Sequence, residues 1–210
     1  MRGVLVTLAL LLAAAGCGGG ASNGTATGEC EQVEQPAPRT PEPVEPPTGT
    51  LDPSKTWQLV FATSCGDFTV QLDLRLAPET TASLVSLARR GFYDGTVFHR
   101  IVPGFVIQGG DPTQTGTGGP GYATLDAPPP SVRYTKGTVA MAKTSLAPAG
   151  TAGSQFFVVT ADDAGLRPEY AIVGRVTEGL DVVERIGALG DANERPTQPV
   201  VVRSVTVVEG

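Results

Sequence analysis

The sequence predicts a mainly β domain, a closed antiparallel barrel of eight strands with two helices capping its ends, set behind an N-terminal leader and a proline-rich spacer. Three observations carry this reading: eight short strand-like runs broken by turn residues, only two stretches with helical period, and a single continuous region able to build a core. The first pair of runs, WQLVFAT from Trp57 and FTVQLD from Phe68, is separated by Ser64-Cys65-Gly66-Asp67, a turn-rich break typical of a hairpin. Apolar residues then recur at helical spacing, with Pro78 opening a helix and Gly91 closing it. Further strand-like runs are 97–102, 105–108, 138–142, 156–159 and 171–176. A short helix over 179–186 leads to the last strand, 200–208.

At 210 residues the chain suits one ordinary domain with tails. Its formal charge of −6 is uneven: residues 18–54 carry six acids against Arg39, whereas 55–210 is close to neutral. With no basic stripe there is no electrostatic footprint for a phosphate backbone, so nucleic acid is not an expected partner. No heptad or exposed apolar helix suggests assembly, and a monomer is expected.

The N-terminus has the shape of a signal peptide over 1–16: Arg2 supplies positive charge and an apolar run follows from Val4 to Ala15. A helix of twelve residues rises only ~18 Å, short of a hydrocarbon core of ~30 Å, so a permanent span is the weaker reading. Ala14-Ala15-Gly16-Cys17 resembles the lipobox of bacterial lipoproteins, which implies lipidation of Cys17 and a membrane anchor outside the cytoplasm; plain secretion is the alternative. Residues 17–54 then read as a disordered tether, acidic and holding seven prolines between Pro36 and Pro53. Fully extended, it could hold a domain up to ~100 Å from the membrane. Cys30 and Cys65 remain, in a compartment where disulfides persist; a pair and two free thiols are both open readings.

Several chemistries are excluded. His99 is the only histidine, so a Cys and His zinc site cannot be assembled, and no metal or cofactor is expected. A Ser, His, Asp triad would need His99 as base, yet it lies in a strand-like run and no serine sits in a nucleophile elbow. Gly116, Gly118 and Gly121 match a G-x-G-x-x-G pattern, but Pro120 and Pro128-Pro129-Pro130 follow where a helix should open, so the stretch reads as an irregular surface loop.

What remains is FHRIVPGFVIQGGD, Phe98 to Asp111. Arg100, two residues after Phe98, is expected on the same strand face, and Phe105 and Gln108 follow a Pro103-Gly104 turn. Together with Met141-Ala142, Gly153-Ser154-Gln155-Phe156-Phe157-Val158 and Leu166, in that order, the stretch resembles the cyclophilin-type peptidyl-prolyl isomerases over roughly Lys55 to Val208. The resemblance implies an isomerase domain over 55–210 that turns X-Pro bonds in proline-containing polypeptides. Position by position it implies Arg100 as the catalytic arginine, and Phe105, Val106, Phe157 and Leu166 as the pocket for the proline ring. Gln108, Ala142 and Gln155 correspond to substrate-backbone and neighbouring-residue contacts. The chain departs from many eukaryotic members at Gly165, where they carry tryptophan, at Tyr170, where they carry a pocket histidine, and at Val106, where methionine is commoner. A chain that grips proline segments without turning them is the alternative.

Overall fold

The computed structural model describes Gly3 and residues 28–210. The expected signal peptide, apart from Gly3, and the expected lipidation at Cys17 lie outside the described residues. Eleven strands and two helices follow in order: β1 Trp57–Thr63, β2 Gly66–Leu72, α1 Pro78–Arg89, β3 Thr96–Val97, β4 Arg100–Val102, β5 Val106–Gly109, β6 Thr124–Leu125, β7 Thr138–Met141, β8 Thr151–Ala152, β9 Phe156–Val159, β10 Ile172–Glu178, α2 Leu180–Gly187 and β11 Val201–Glu209.

Nine strands form one antiparallel sheet in the order β3-β11-β1-β2-β10-β7-β9-β5-β4, and β6 and β8 make a separate pair. The two edge strands, β3 and β4, are consecutive in the chain, so the sheet curls round until its edges are joined by Phe98 and His99. An antiparallel bridge between Val97 and Asp111 spans the seam. The predicted barrel is therefore a strongly curled sheet whose seam is closed by chain continuity and one bridge instead of a ladder. The expected strand over 97–102 is split in two, which makes the count nine.

Alternation gives the sheet two apolar faces. The register Ile101↔Ile107↔Val158↔Val139 forms an inner row, all buried, while the same four strands place Arg100↔Gln108↔Phe157↔Ala140 on the outer face. The inner cluster takes in Phe61 and Phe68, stacked at 4.7 Å, with Phe98 and Phe156 edge-on at 6.0 Å. A second cluster of Val106, Tyr134, Ala140, Phe157, Val159 and Ile172 covers the outer face of the same strands. Phe98 therefore belongs to the interior and Arg100 to the outer face. The expectation that they share a face is corrected, because the strand break at Phe98 and His99 interrupts the two-residue period.

Helix α1 opens at Pro78, where a missing N–H costs nothing. Its free N-terminal donors are met from outside: the Asp126 carboxylate accepts from Thr80 N at 2.7 Å and Thr80 Oγ1 at 2.6 Å, which docks β6 beside the helix. Gly91, at φ 65°, turns the chain out of the helix while Phe92 N bonds Leu87 O.

Residues 28–53 contain no helix or strand, as their proline content suggests, but the detached tether expected over 17–54 is corrected from Cys30 onward. Cys30 and Cys65 are joined in a disulfide with Cα atoms 4.0 Å apart. From there the chain lies along the barrel as an extended strap: Glu31 N bonds Ser64 O, Arg39 N bonds Pro112 O and Val44 N bonds Pro120 O, while Cys30, Val44 and Leu51 pack against the interior cluster. Backbone donors of an extended segment find acceptors on the barrel, a means of attachment that a count of apolar side chains does not register. Among the described residues no helix is long and apolar enough to cross a membrane.

Candidate active site

The outer row of the sheet carries the site. Arg100 on β4 pairs in register with Gln108 on β5, and Gln108 with Phe157 on β9, so three side chains expected to act together stand side by side. They line a cavity of about 240 Å³. Phe105 and Val106, Ala142, Leu166 and Tyr170 complete its wall, so eight of the nine substrate-site residues expected from sequence meet there. Gln155, the ninth, lines an adjoining cavity of about 370 Å³, which shares Gln108 and Ala142 with the first. A larger concavity of about 620 Å³ elsewhere, floored by Leu72, Leu76 and Ile172, includes none of these residues.

Arg100 is held from two sides. Its Nε donates to Glu194 Oε2 at 2.7 Å and its Nη1 to Gln108 Oε1 at 3.4 Å. Gln108 Nε2 donates in turn to Gln155 Oε1 at 3.1 Å, and Gln155 Nε2 to Gly118 O at 3.0 Å. The two amides are thus oriented by a relay running from the guanidinium to the glycine-rich loop. The Arg100 side chain remains 35% exposed, so donors of its planar fork still face the cavity mouth.

The apolar wall is built from crossed rings. Phe157 meets Tyr170 edge-on at 5.4 Å, and the Tyr134 hydroxyl donates to Tyr170 O at 2.7 Å while accepting from Tyr170 N at 3.0 Å. These two bonds fix Tyr170 from behind. Gly165, at φ 62°, has open space around its α-carbon, so the rim beside Leu166 is low.

Four further residues, none of them expected from sequence as a site residue, shape the site. Lys143 lines both cavities with its side chain only 3% exposed; its Nζ donates to Ala147 O at 3.1 Å and to Glu169 Oε2 at 3.3 Å, over the Tyr170 ring. Glu194, at φ 63°, reaches Arg100 from 94 positions away. Asp111 is fully buried and organises the loop: its Oδ1 accepts from Thr113 N and Oγ1, its Oδ2 from Gly116 N and Gly118 N. Burial pushes its carboxyl up, but these hydrogen bonds outweigh burial and hold it below the usual carboxylate range. Gly118 belongs to the same arrangement, since a Cβ there would fall 2.1 Å from Asp111 Oδ1. The signal for Asp111 was its place at the end of the quoted motif, and for Gly118 its place in the glycine-rich loop.

His99 is beside Arg100 with both ring nitrogens buried and unpaired, and burial, the largest influence on it, lowers its pKa. A neutral imidazole with no hydroxyl or carboxylate bonded to it has no triad to serve. Among the described residues no group of three or more His, Cys, Asp or Glu side chains is placed to hold a metal ion.

The model of the family described as "Cyclophilin type peptidyl-prolyl cis-trans isomerase" matches residues 58–207. Peptidyl-prolyl cis-trans isomerase A of Mycobacterium tuberculosis is 40% identical over 176 residues, covering 75% of this chain and 96% of its own. The mouse peptidyl-prolyl cis-trans isomerase-like 1 is 41% identical, covering 70% and 92%. Among solved structures, a Cryptosporidium parvum cyclophilin-type isomerase, crystallised in the presence of the dipeptide Ala-Pro, superimposes with a TM-score of 0.66 at 30% identity, covering 72% of this chain and 98% of its own. An outer-face cavity, its arginine and these relatives agree, and the chain belongs to the cyclophilin-type peptidyl-prolyl cis-trans isomerase family.

Proposed function

We propose that the chain turns X-Pro bonds of extracytoplasmic polypeptides, with Arg100 as the catalytic residue, and thereby assists their folding. The observation that carries this is the position of the Arg100 guanidinium at the mouth of an apolar cavity, oriented by Glu194 on one side and Gln108 on the other. Rotation about a prolyl amide meets a barrier of ~18 to 20 kcal/mol that comes from amide resonance. As the bond twists, the prolyl nitrogen becomes pyramidal and regains its lone pair. A guanidinium donor directed at that nitrogen binds the twisted state more strongly than the planar one and lowers the barrier. Phe105, Val106, Phe157 and Leu166 hold the ring, Tyr170 walls it, and Gln108 and Ala142 hold the substrate backbone while the far side of the amide rotates. Gln155 borders the neighbouring cavity, where an adjacent substrate residue would lie.

A protease-coupled assay with a proline peptide, run on the chain beginning after Cys17 with the strap included, is expected to show isomerisation far faster than the uncatalysed tens to hundreds of seconds. Peptide binding without turnover would replace the enzyme with a proline-binding module. The placement outside the cytoplasm rests on the leader, the Cys17 lipobox and a disulfide of the kind that persists in oxidising compartments. Cells fed labelled palmitate are expected to label this protein through Cys17. A Cys17→Ala variant that still takes up label would refute the lipid anchor.

A further inference from the structure

The strap meets the barrel on the back of the loop that lines the second cavity. Between Asp111 and Thr124 the chain has no regular structure, and it contains Gly116, Gly118, Gly119 and Gly121, with Gln114, Gly116 and Gly121 all at positive φ. Such a segment has much backbone entropy to lose in adopting one shape. Its inner side is the working side: Gly116, Thr117 and Gly118 line the cavity, and the Gly118 carbonyl orients Gln155. The strap bonds the loop on either side of that lining, near both of its ends. Arg39 N donates to Pro112 O at 2.9 Å, Gln114 Nε2 to Pro36 O at 2.8 Å, and Val44 N to Pro120 O at 3.1 Å. Pro43 lies so close to Gly121 that a Cβ there would come within 3.1 Å of the proline Cβ.

The strap is itself anchored at both ends. Cys30 is bonded to Cys65, with the Glu31 and Arg203 ion pair beside it, and Asp52 O accepts from Trp57 Nε1 at 3.1 Å at the barrel's first strand. Its prolines restrict φ before any contact is made, so the segment arrives already extended and little further order is lost when its N–H groups bond the loop. A proline-rich run is suited to this task, provided that N–H groups of its other residues face the loop. Arg39 and Val44 are two of the non-proline positions in the run, and both donate.

We propose that the strap is a positioning segment of the substrate site: it holds the 112–121 loop from behind and so sets the place of Gln155 and the affinity for the polypeptide flanking the proline. The proposal rests on the assignment of the second cavity to substrate. The strap touches neither Arg100 nor the ring pocket, so its effect falls on binding of the flanking chain and not on the twisting step.

The test uses the oxidised chain carrying Arg39→Pro and Val44→Pro together, which removes both backbone donors, along with the Arg39 side-chain bonds to Phe92 O and Asp94 O and the Val44 packing, while keeping the extended conformation, with Val44→Pro alone as the milder variant should the pair fold poorly. Initial rates over a range of proline-peptide concentrations are expected to show KM raised about threefold or more with kcat within about twofold of wild type, the pattern of a lost binding contact. Amide exchange at Gly116 and Gly118 is expected to quicken in parallel. An unchanged KM in a folded variant, or a fall in kcat with KM untouched, overturns the proposal, because a strap that serves stability alone would lower the melting temperature and the active fraction without moving KM. Gln155→Ala in the same assay separates the two readings: a raised KM supports the assignment of the second cavity to substrate whatever the strap variants do, and an unchanged KM removes that assignment.

Discussion

Replacing Arg100 with alanine is expected to lower kcat/KM for a proline peptide by at least ~10-fold, a loss of ~1.4 kcal/mol of transition-state stabilisation, with the fold unchanged. The guanidinium is a third exposed and its ion pair with Glu194 faces solvent, so truncation removes little stability and the melting temperature should move by no more than about 2 °C. Activity and stability therefore separate in this variant. Lysine restores the charge but cannot donate to Glu194 and Gln108 at once from a planar fork, and Arg100→Lys is expected to recover only part of the rate. Near wild-type turnover in a folded Arg100→Ala protein would remove the residue from the chemistry.

The larger effect on stability is expected from Asp111→Ala. The carboxylate accepts from three backbone N–H groups and one hydroxyl in a fully buried position, and its removal takes that partner from all four donors at once, at a cost of about 3 kcal/mol or more. For a domain of this size that lowers the melting temperature by at least ~6 °C. The pH dependence has a definite sign. The folded carboxyl titrates below its unfolded value of about 3.9, so the stabilisation is complete above that unfolded value and is lost as pH falls through the depressed folded one. Asp111→Asn, which cannot ionise, should be the less stable protein at neutral pH and should lose less on acidification. Parallel melting curves of wild type and Asp111→Asn from pH 6 to pH 3 check this, and an equal loss in the two proteins would refute it.

The path from sequence to site was short where a residue's role follows from its own strand. Arg100, Gln108 and Phe157 sit on three adjacent strands in register, and the quoted motifs are those strands read along the chain. Roles that depend on where a distant backbone passes were not legible. Glu194 lies in an ordinary acidic turn until the fold brings it to Arg100, and Lys143 has the composition of an exposed loop, yet its ammonium is buried against Glu169 and two carbonyls. The strap was misjudged for a related reason: its side chains are too polar to build a core, and its attachment runs through N–H groups that every non-proline residue possesses. The seam of the sheet was hidden because Phe98 and His99 look like the middle of a strand and are instead the corner where one edge passes into the other.

The two rows on the strands β4, β5, β9 and β7 have a bearing on quality control. Moving any of these strands by one residue would send Arg100, Gln108 or Phe157 inward and bring an isoleucine or valine to the cavity wall. A chain that has packed its interior has, by the same pairing, assembled its site, and a chain that has mispaired has neither. Turnover of a proline peptide is therefore a direct count of correctly registered molecules, and this isomerase carries within its sheet a readout of its own folding.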